Sequence, residues 1–140
     1  MKLFKRANMY KASNVSFNPE TCEARSYEWW AFTKMVNGVL VFNDHGYSNS
    51  TRKHQSKVRT LLRELGHEIG LTVDAPCGLQ SYKWPAQALE SIQSKIEAVN
   101  MQLASTRRRK SLDSLRLELL NQLTTEKQAL EVFIATNNLG

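Results

Sequence analysis

The chain has 140 residues, of which 41% are hydrophobic, and its formal net charge is +6. This length and apolar content suffice for one ordinary domain, or for a small domain with an appendage. No apolar run approaches the roughly 20 residues that a membrane-spanning helix needs, so we expect no membrane partner. The two cysteines, Cys22 and Cys77, are too few for a disulfide framework and form no CxxC pair.

The positive charge is concentrated in two short segments. Residues 51–63 contain five basic side chains and no acid, and residues 107–110 form a continuous basic run. Outside these nine residues, ten Lys and Arg face thirteen Asp and Glu, a net charge of −3. Charge placed in this way predicts contact with a polyanion or with an acidic protein surface. The nine residues are Arg52, Lys53, Lys57, Arg59, Arg63, Arg107, Arg108, Arg109 and Lys110.

The N-terminus begins with a basic stretch over residues 1–6, as a signal peptide does. Residues 7–11, Ala-Asn-Met-Tyr-Lys, do not form the apolar segment that would have to follow. We therefore expect a cytoplasmic protein.

Residues 1–82 are predicted to form an α+β domain with a small antiparallel sheet. Val15 and Phe17 alternate before the turn signal Asn18-Pro19, and residues 27–42 have the pattern of a β-hairpin. Asn37-Gly38 supplies the two positive φ angles that a type I′ turn requires.

One helix is predicted within this domain, over residues 51–65. Ser48, Asn49 and Ser50 are candidate N-caps, and Gly66 is a candidate C-terminal glycine. Alternating apolar residues then predict a further strand that ends in a turn over residues 74–78; they are Ile69, Leu71 and Val73.

Residues 83–140 are predicted to form an antiparallel helical hairpin with the basic run at its bend. The first helix begins at Pro85, and its apolar face recurs at three- and four-residue spacing in Leu89, Ile92, Ile96, Val99 and Leu103. A second series begins with Leu112, Leu115, Leu119 and Leu123, and it resumes after a polar gap at Glu126 and Lys127 with Leu130, Phe133 and Ile134. A single helix of about 50 residues is the alternative, and it would require dimerisation.

The helix of residues 51–65 separates into two faces on a helical wheel. Arg59 and Arg63 each fall within about 20° of Arg52, opposite an arc that holds Val58, Leu61, Leu62 and Leu65. Arginines one and two turns apart suit phosphate contacts, because each guanidinium offers a planar pair of donors. A solvated basic face without a partner is an equally weighted interpretation.

No pattern in the chain indicates an enzyme, a metal site or a cofactor. Walker A, G-x-S-x-G, H-E-x-x-H and G-x-G-x-x-G motifs are all absent. His45, His54 and His67 share no ligand spacing with each other or with the cysteines. His54 falls in the apolar arc, so we expect it to be partly packed.

Two further features bear on partners. The aromatic cluster Tyr27, Trp29, Trp30 and Phe32 is of a kind that stacks bases, although coverage of the core or of an interdomain seam by the two tryptophans is the favoured interpretation. Leu117 and Leu120 lie partly off the hairpin seam, so they predict a protein interface and a homo-oligomer formed through residues 84–140.

A resemblance adds a biological setting. Six segments of the chain together resemble small uncharacterised proteins of tailed bacteriophages and prophages. They are Tyr27-Glu28-Trp29-Trp30, residues 39–43, Tyr47-Ser48, residues 50–59, Leu61-Leu62 and Leu65-Gly66. The resemblance covers about half of the chain and implies action in the bacterial host cytoplasm, but no mechanism. Two hypotheses follow: a non-enzymatic accessory protein that binds nucleic acid through its phosphate backbone, or a protein-interaction module that inhibits a host or defence protein or assists assembly.

Overall fold

The structure, a computed structural model, describes residues 3–6 and 9–139. The N-terminal basic stretch of the sequence analysis therefore lies partly outside the described residues. The predicted α+β class is confirmed, and the chain divides into two units, residues 1–84 and residues 85–140.

The described residues of the first unit form a seven-stranded sheet whose spatial order follows the chain. Every neighbouring pair is antiparallel except the last, which is parallel and joined through a helix. The sheet is larger than the sequence predicted. Its strands are β1 (Phe4–Arg6), β2 (Met9–Ala12), β3 (Val15–Asn18), β4 (Glu23–Ser26), β5 (Trp30–Val36), β6 (Val39–Asn43) and β7 (Leu71–Val73).

The turns at Asn18 and Asn37 are those that the sequence predicted. The backbone N–H of Glu20 donates to Asn18 Oδ1 at 2.9 Å, which closes the turn after β3. Asn37 and Gly38 have φ angles of 47° and 81°, so both adopt the left-handed region that a type I′ turn needs. Two predicted strand limits were wrong: β5 begins at Trp30, after a left-handed turn at Tyr27 and Glu28, and Ile69 lies outside β7.

Helix α1 (Asn49–Glu64) connects β6 to β7 and covers one face of the sheet. The Ser48 hydroxyl accepts from the backbone N–H of Thr51 at 3.1 Å, so Ser48 is the N-cap among the three candidates, and Gly66 follows the helix with a φ of 80°. The helix begins two residues before the predicted Thr51 and ends one residue before the predicted Leu65. Val58, Leu61 and Leu62 enter the main core, which also holds Val15, Phe17, Cys22, Ala24, Trp30, Phe32, Leu40 and Phe42.

The segment after β7 is tied to the central strands by hydrogen bonds. The N–H of Leu79 donates to the carbonyl of Ala31 at 2.7 Å, and the side chain of Asn43 bonds both the N–H and the carbonyl of Ala75. Asn43 is fully buried, and its amide group satisfies backbone atoms that would otherwise lack partners.

The second unit consists of α2 (Trp84–Ala104) from its second residue onward, a short 3-10 turn (Lys110–Leu112) and α3 (Asp113–Thr136). The α-helical backbone is interrupted over residues 105–112, so the alternative of one continuous helix was wrong. Lys127 Nζ donates to Gln93 Oε1 at 2.7 Å and brings α3 to α2 at this point. No helix within the described ranges is both long and apolar enough to cross a membrane.

The buried face of α3 follows the predicted series in its second half and departs from it in the first. Leu123, Leu130, Phe133 and Ile134 are buried or half-buried, whereas Leu112, Leu115 and Leu119 are exposed and the positions one residue after each of these three are half-buried. Leu120 is half-buried and belongs to this face, so its predicted exposure was wrong, while Leu117 is exposed. The buried and half-buried positions of α3 are Asp113, Arg116, Leu120, Leu123, Lys127, Leu130, Phe133 and Ile134.

Candidate nucleic-acid interface

Helix α1 presents its basic side chains on the surface of the first unit. Arg52, Lys53, Arg59 and Arg63 are exposed, and Lys57 is half-buried. The one acid of the helix is Glu64, in its last position, and the first turn contains none. We call Arg52, Arg59 and Arg63 the arginine ridge; their Cα atoms are spaced by about 10 Å and about 6 Å along the helix at the standard rise.

The ridge is held in place by contacts with the sheet and its loops. The Arg59 guanidinium lies over the ring of Phe42 at 4.3 Å from its centroid, a cation–π contact. The Arg52 guanidinium lies against Gly46, so close that a Cβ at position 46 would make the arginine side chain shift. These contacts hold both guanidiniums against the surface of the first unit, which reduces the entropy lost on binding an anion.

Two surface hollows adjoin the ridge and share Arg59. The first is lined by Asp44, Arg52, Gln55, Ser56 and Arg59, so two guanidiniums and one carboxylate meet there. The second lies between α1 and the edge strand β7, and Arg59, Arg63, His67, Glu68 and Thr72 are among its lining residues. The ridge therefore borders two hollows in which three guanidiniums face two carboxylates, and Leu62 and Ile69 add apolar surface to the second.

His54 lies on the opposite side of α1, as the helical wheel predicted. It is buried, its Nδ1 shares a hydrogen bond with Ser26 Oγ at 2.6 Å, and the ring of Tyr27 lies 5.4 Å away. Burial lowers the pKa of His54, and the positive charge of Lys57 lowers that pKa further. The imidazole is therefore neutral at pH 7 and links α1 to β4.

The buried Cys22 lies next to the half-buried His67, with Sγ and Nε2 4.0 Å apart. Burial raises the pKa of the Cys22 thiol, which is the opposite of the shift that activates a nucleophilic cysteine. Within residues 3–6 and 9–139, no group of three His, Cys, Asp or Glu side chains is arranged to hold a metal ion.

The basic run of residues 107–110 forms the connection between α2 and α3. Arg108 is engaged within it: its Nε bonds both carboxylate oxygens of Asp113, at 3.0 and 3.2 Å, and its Nη1 donates to the Ser105 carbonyl. Arg107, Arg109 and Lys110 are exposed. Three of the four side chains that were predicted to contact nucleic acid are therefore exposed to solvent, whereas Arg108 stabilises the turn.

Tyr47 adjoins the N-terminus of α1 and was not among the residues predicted to bind a partner. Its ring is 57% exposed and lies 5.9 Å from the ring of Trp29, which is 50% exposed. Trp30 is buried and donates from Nε1 to the Pro76 carbonyl, so it covers the core, whereas Trp29 lies in a turn and is half exposed. The sequence feature that could have indicated Tyr47 is its position directly before the N-cap residue of α1.

Comparison with protein-family models, with curated proteins and with solved structures gives no match for this chain.

Proposed function

We propose that this protein is a non-enzymatic nucleic-acid-binding accessory protein whose α1 contacts the phosphate backbone. The observation that carries the proposal is the arginine ridge: three exposed arginines on one side of a helix that has no acid before its final residue. Guanidiniums bind phosphate oxygens through paired donors, and backbone contacts of this kind supply most non-specific affinity for nucleic acid. Lys53 and Lys57 extend the same surface.

The second unit supplies the remaining proposed contacts. We infer that α2 and α3 form an antiparallel helical hairpin, which is supported by the Lys127–Gln93 hydrogen bond and by the interruption of the helix at residues 105–112. Arg107, Arg109 and Lys110 at the connection would then reach a second stretch of phosphates. Exposed leucines on α3 favour association of two chains through residues 84–140.

The setting of this function rests on the resemblance described above. We propose that the protein is encoded by a bacteriophage or prophage and acts in the cytoplasm of the bacterial host. The alternative is a protein-interaction module that covers an acidic surface of a host or defence protein with the same basic residues. The exposed leucines of α3 favour that alternative, because nucleic acid offers them no apolar partner.

A comparison of charge-matched variants tests the proposal. In the first, Arg52, Arg59 and Arg63 are replaced by alanine; in the second, the exposed lysines Lys11, Lys83 and Lys95 are replaced. Both remove three positive charges, so a general electrostatic effect lowers nucleic-acid affinity equally in the two. We expect the ridge variant to bind labelled DNA at least ten times more weakly than the control.

Equal binding by the two variants would exclude the ridge as the phosphate-binding surface. Absence of binding by the parent protein, together with capture of an acidic protein that the ridge variant fails to capture, would favour the interaction module instead.

A further inference from the structure

Two exposed aromatic rings stand in contact at the surface of the first unit. Trp29 and Tyr47 meet edge to face, with an interplanar angle of 80°, and about half of each side chain is open to solvent. Tyr47 also contacts the rings of the buried Trp30 and of His45. These rings therefore pack against the exposed pair and restrict the motion of its side chains.

The backbone before Trp29 adopts an unfavourable conformation. Tyr27 and Glu28 have φ angles of 53° and 67°, in the left-handed region that residues with a side chain rarely occupy. This turn ends β4 and directs Trp29 away from the core that its neighbour Trp30 enters. Strained backbone of this kind is concentrated at binding sites, where it positions a side chain.

The aromatic pair continues into the arginine ridge. Tyr47 lies between Gly46, which packs against the Arg52 guanidinium, and Ser48, which caps α1. The path therefore runs from Trp29 and Tyr47 to Arg52, and from there to Arg59 and Arg63. Exposed rings at one end of a track of guanidiniums combine the two contacts that single-strand binders use, base stacking and phosphate binding.

We propose that Trp29 and Tyr47 form a stacking platform for unpaired bases, so that the polyanion bound along α1 is single-stranded nucleic acid. This inference rests on the proposed function and specifies its ligand. A duplex keeps its base faces stacked inside, whereas a single strand offers them to an aromatic side chain. An acidic protein surface would match the arginines but would leave the two rings without a comparable partner.

Tryptophan fluorescence can report the stacking directly. The chain has three tryptophans, and Trp30 and Trp84 are each 2% exposed, so quenching by a bound base selects Trp29. The probe is a short oligothymidylate of about 12 nucleotides, within the range of compact single-strand sites, compared with a duplex of the same length. We expect the single strand to quench the emission and the duplex to leave it nearly unchanged.

Substitutions separate stacking from phosphate binding. Trp29→Ala is expected to lower single-strand affinity about 5- to 150-fold, the range measured when a stacking aromatic is removed, with little effect on duplex binding. Trp29→Phe keeps an aromatic face and is expected to retain most of the affinity while the quenching disappears. Tyr82→Ala is the matched control, because Tyr82 is 86% exposed and belongs to neither the platform nor the ridge.

The outcomes separate two claims: that the arginine ridge binds phosphates, and that Trp29 and Tyr47 stack bases. Equal single-strand affinity for Trp29→Ala and Tyr82→Ala would overturn the platform, and the ridge would remain the proposed phosphate site if binding persisted. Failure of the parent protein to bind either probe would overturn both. A preference for duplex over single strand would exclude the platform as a determinant of ligand type.

Discussion

At the scale of single residues, the turn at Asn37-Gly38 determines how β5 and β6 pair. Gly38 has a φ of 81°, and no atom lies within 4 Å of the position that a Cβ would take, so a substitution meets backbone strain and no steric clash. Asparagine tolerates this conformation far better than a β-branched residue does.

We therefore expect Gly38→Val to lower the free energy of unfolding by about 2 kcal/mol or more. Gly38→Asn is the control and should cost clearly less. Urea denaturation measures both, and a Gly38→Val variant as stable as Gly38→Asn would contradict the assigned turn.

His54 couples folding to pH. Burial lowers its pKa below the ordinary value of 6.5, so the unfolded chain binds a proton at a higher pH than the folded chain does. The contribution of this residue to stability is therefore present above pH 6.5 and is lost as the pH falls through and below that value. We expect the parent protein to lose more stability between pH 7.5 and pH 5 than a His54→Gln variant loses.

Urea denaturation at the two pH values measures this difference, and the other titrating groups cancel in the comparison. Equal losses for the parent and His54→Gln would show that the folded protein accepts the proton as readily as the unfolded chain.

At the scale of elements, the N-terminal cap of α1 is open to a direct test. The Ser48 hydroxyl satisfies the N–H of Thr51, and its loss leaves that donor without a partner. We expect Ser48→Ala to lower the free energy of unfolding by about 1 kcal/mol. Ser50→Ala is the control, because Ser50 lies in the first turn of the same helix, and it should have a much smaller effect. A Ser48→Ala melting curve that overlays that of Ser50→Ala would rule out the cap.

The elements that the sequence predicted are those with strong local signals. Helix α1, the hairpin of β5 and β6, and β3 each combine a periodic apolar pattern with a cap or a turn residue at the expected position. Strand β4 was missed because its inward residues, Ala24 and Ser26, are small and one is polar. Their size makes room for α1, and the Ser26 contact with His54 is a tertiary feature that a local pattern does not contain.

The first half of the α3 face was assigned one residue too early for a similar reason. Three of the eight buried or half-buried positions are charged, and each has a polar partner: Asp113 pairs with Arg108 and Arg116, and Lys127 donates a hydrogen bond to Gln93. The predicted seam instead followed Leu112, Leu115 and Leu119, which are exposed. The aromatic pair was missed because Trp29 and Tyr47 are 18 residues apart and meet only through the fold.

At the scale of the whole molecule, the exposed leucines of α3 predict self-association. Leu115, Leu117 and Leu119 are 44–62% exposed, an unusual concentration of large apolar side chains on one helix. We expect glutamate at these three positions to shift the protein towards monomer without a large loss of helix. Val132→Glu is the control, because Val132 is equally exposed on the same helix but distant from that group.

Analytical ultracentrifugation over a range of protein concentrations measures the assembly, and circular dichroism measures the helix content. A parent protein that sediments as a monomer at every concentration would refute association through residues 84–140.

The central claim is that the arginine ridge binds phosphates, and the salt dependence of binding tests it most directly. Each phosphate that the protein neutralises contributes about −0.7 on single-stranded and about −0.9 on duplex nucleic acid to the slope of log affinity against log salt concentration. Replacement of Arg52, Arg59 and Arg63 by alanine should therefore reduce the magnitude of that slope by about 2 to 3, as measured by fluorescence anisotropy. An unchanged slope would contradict the account, because binding would then depend on other residues.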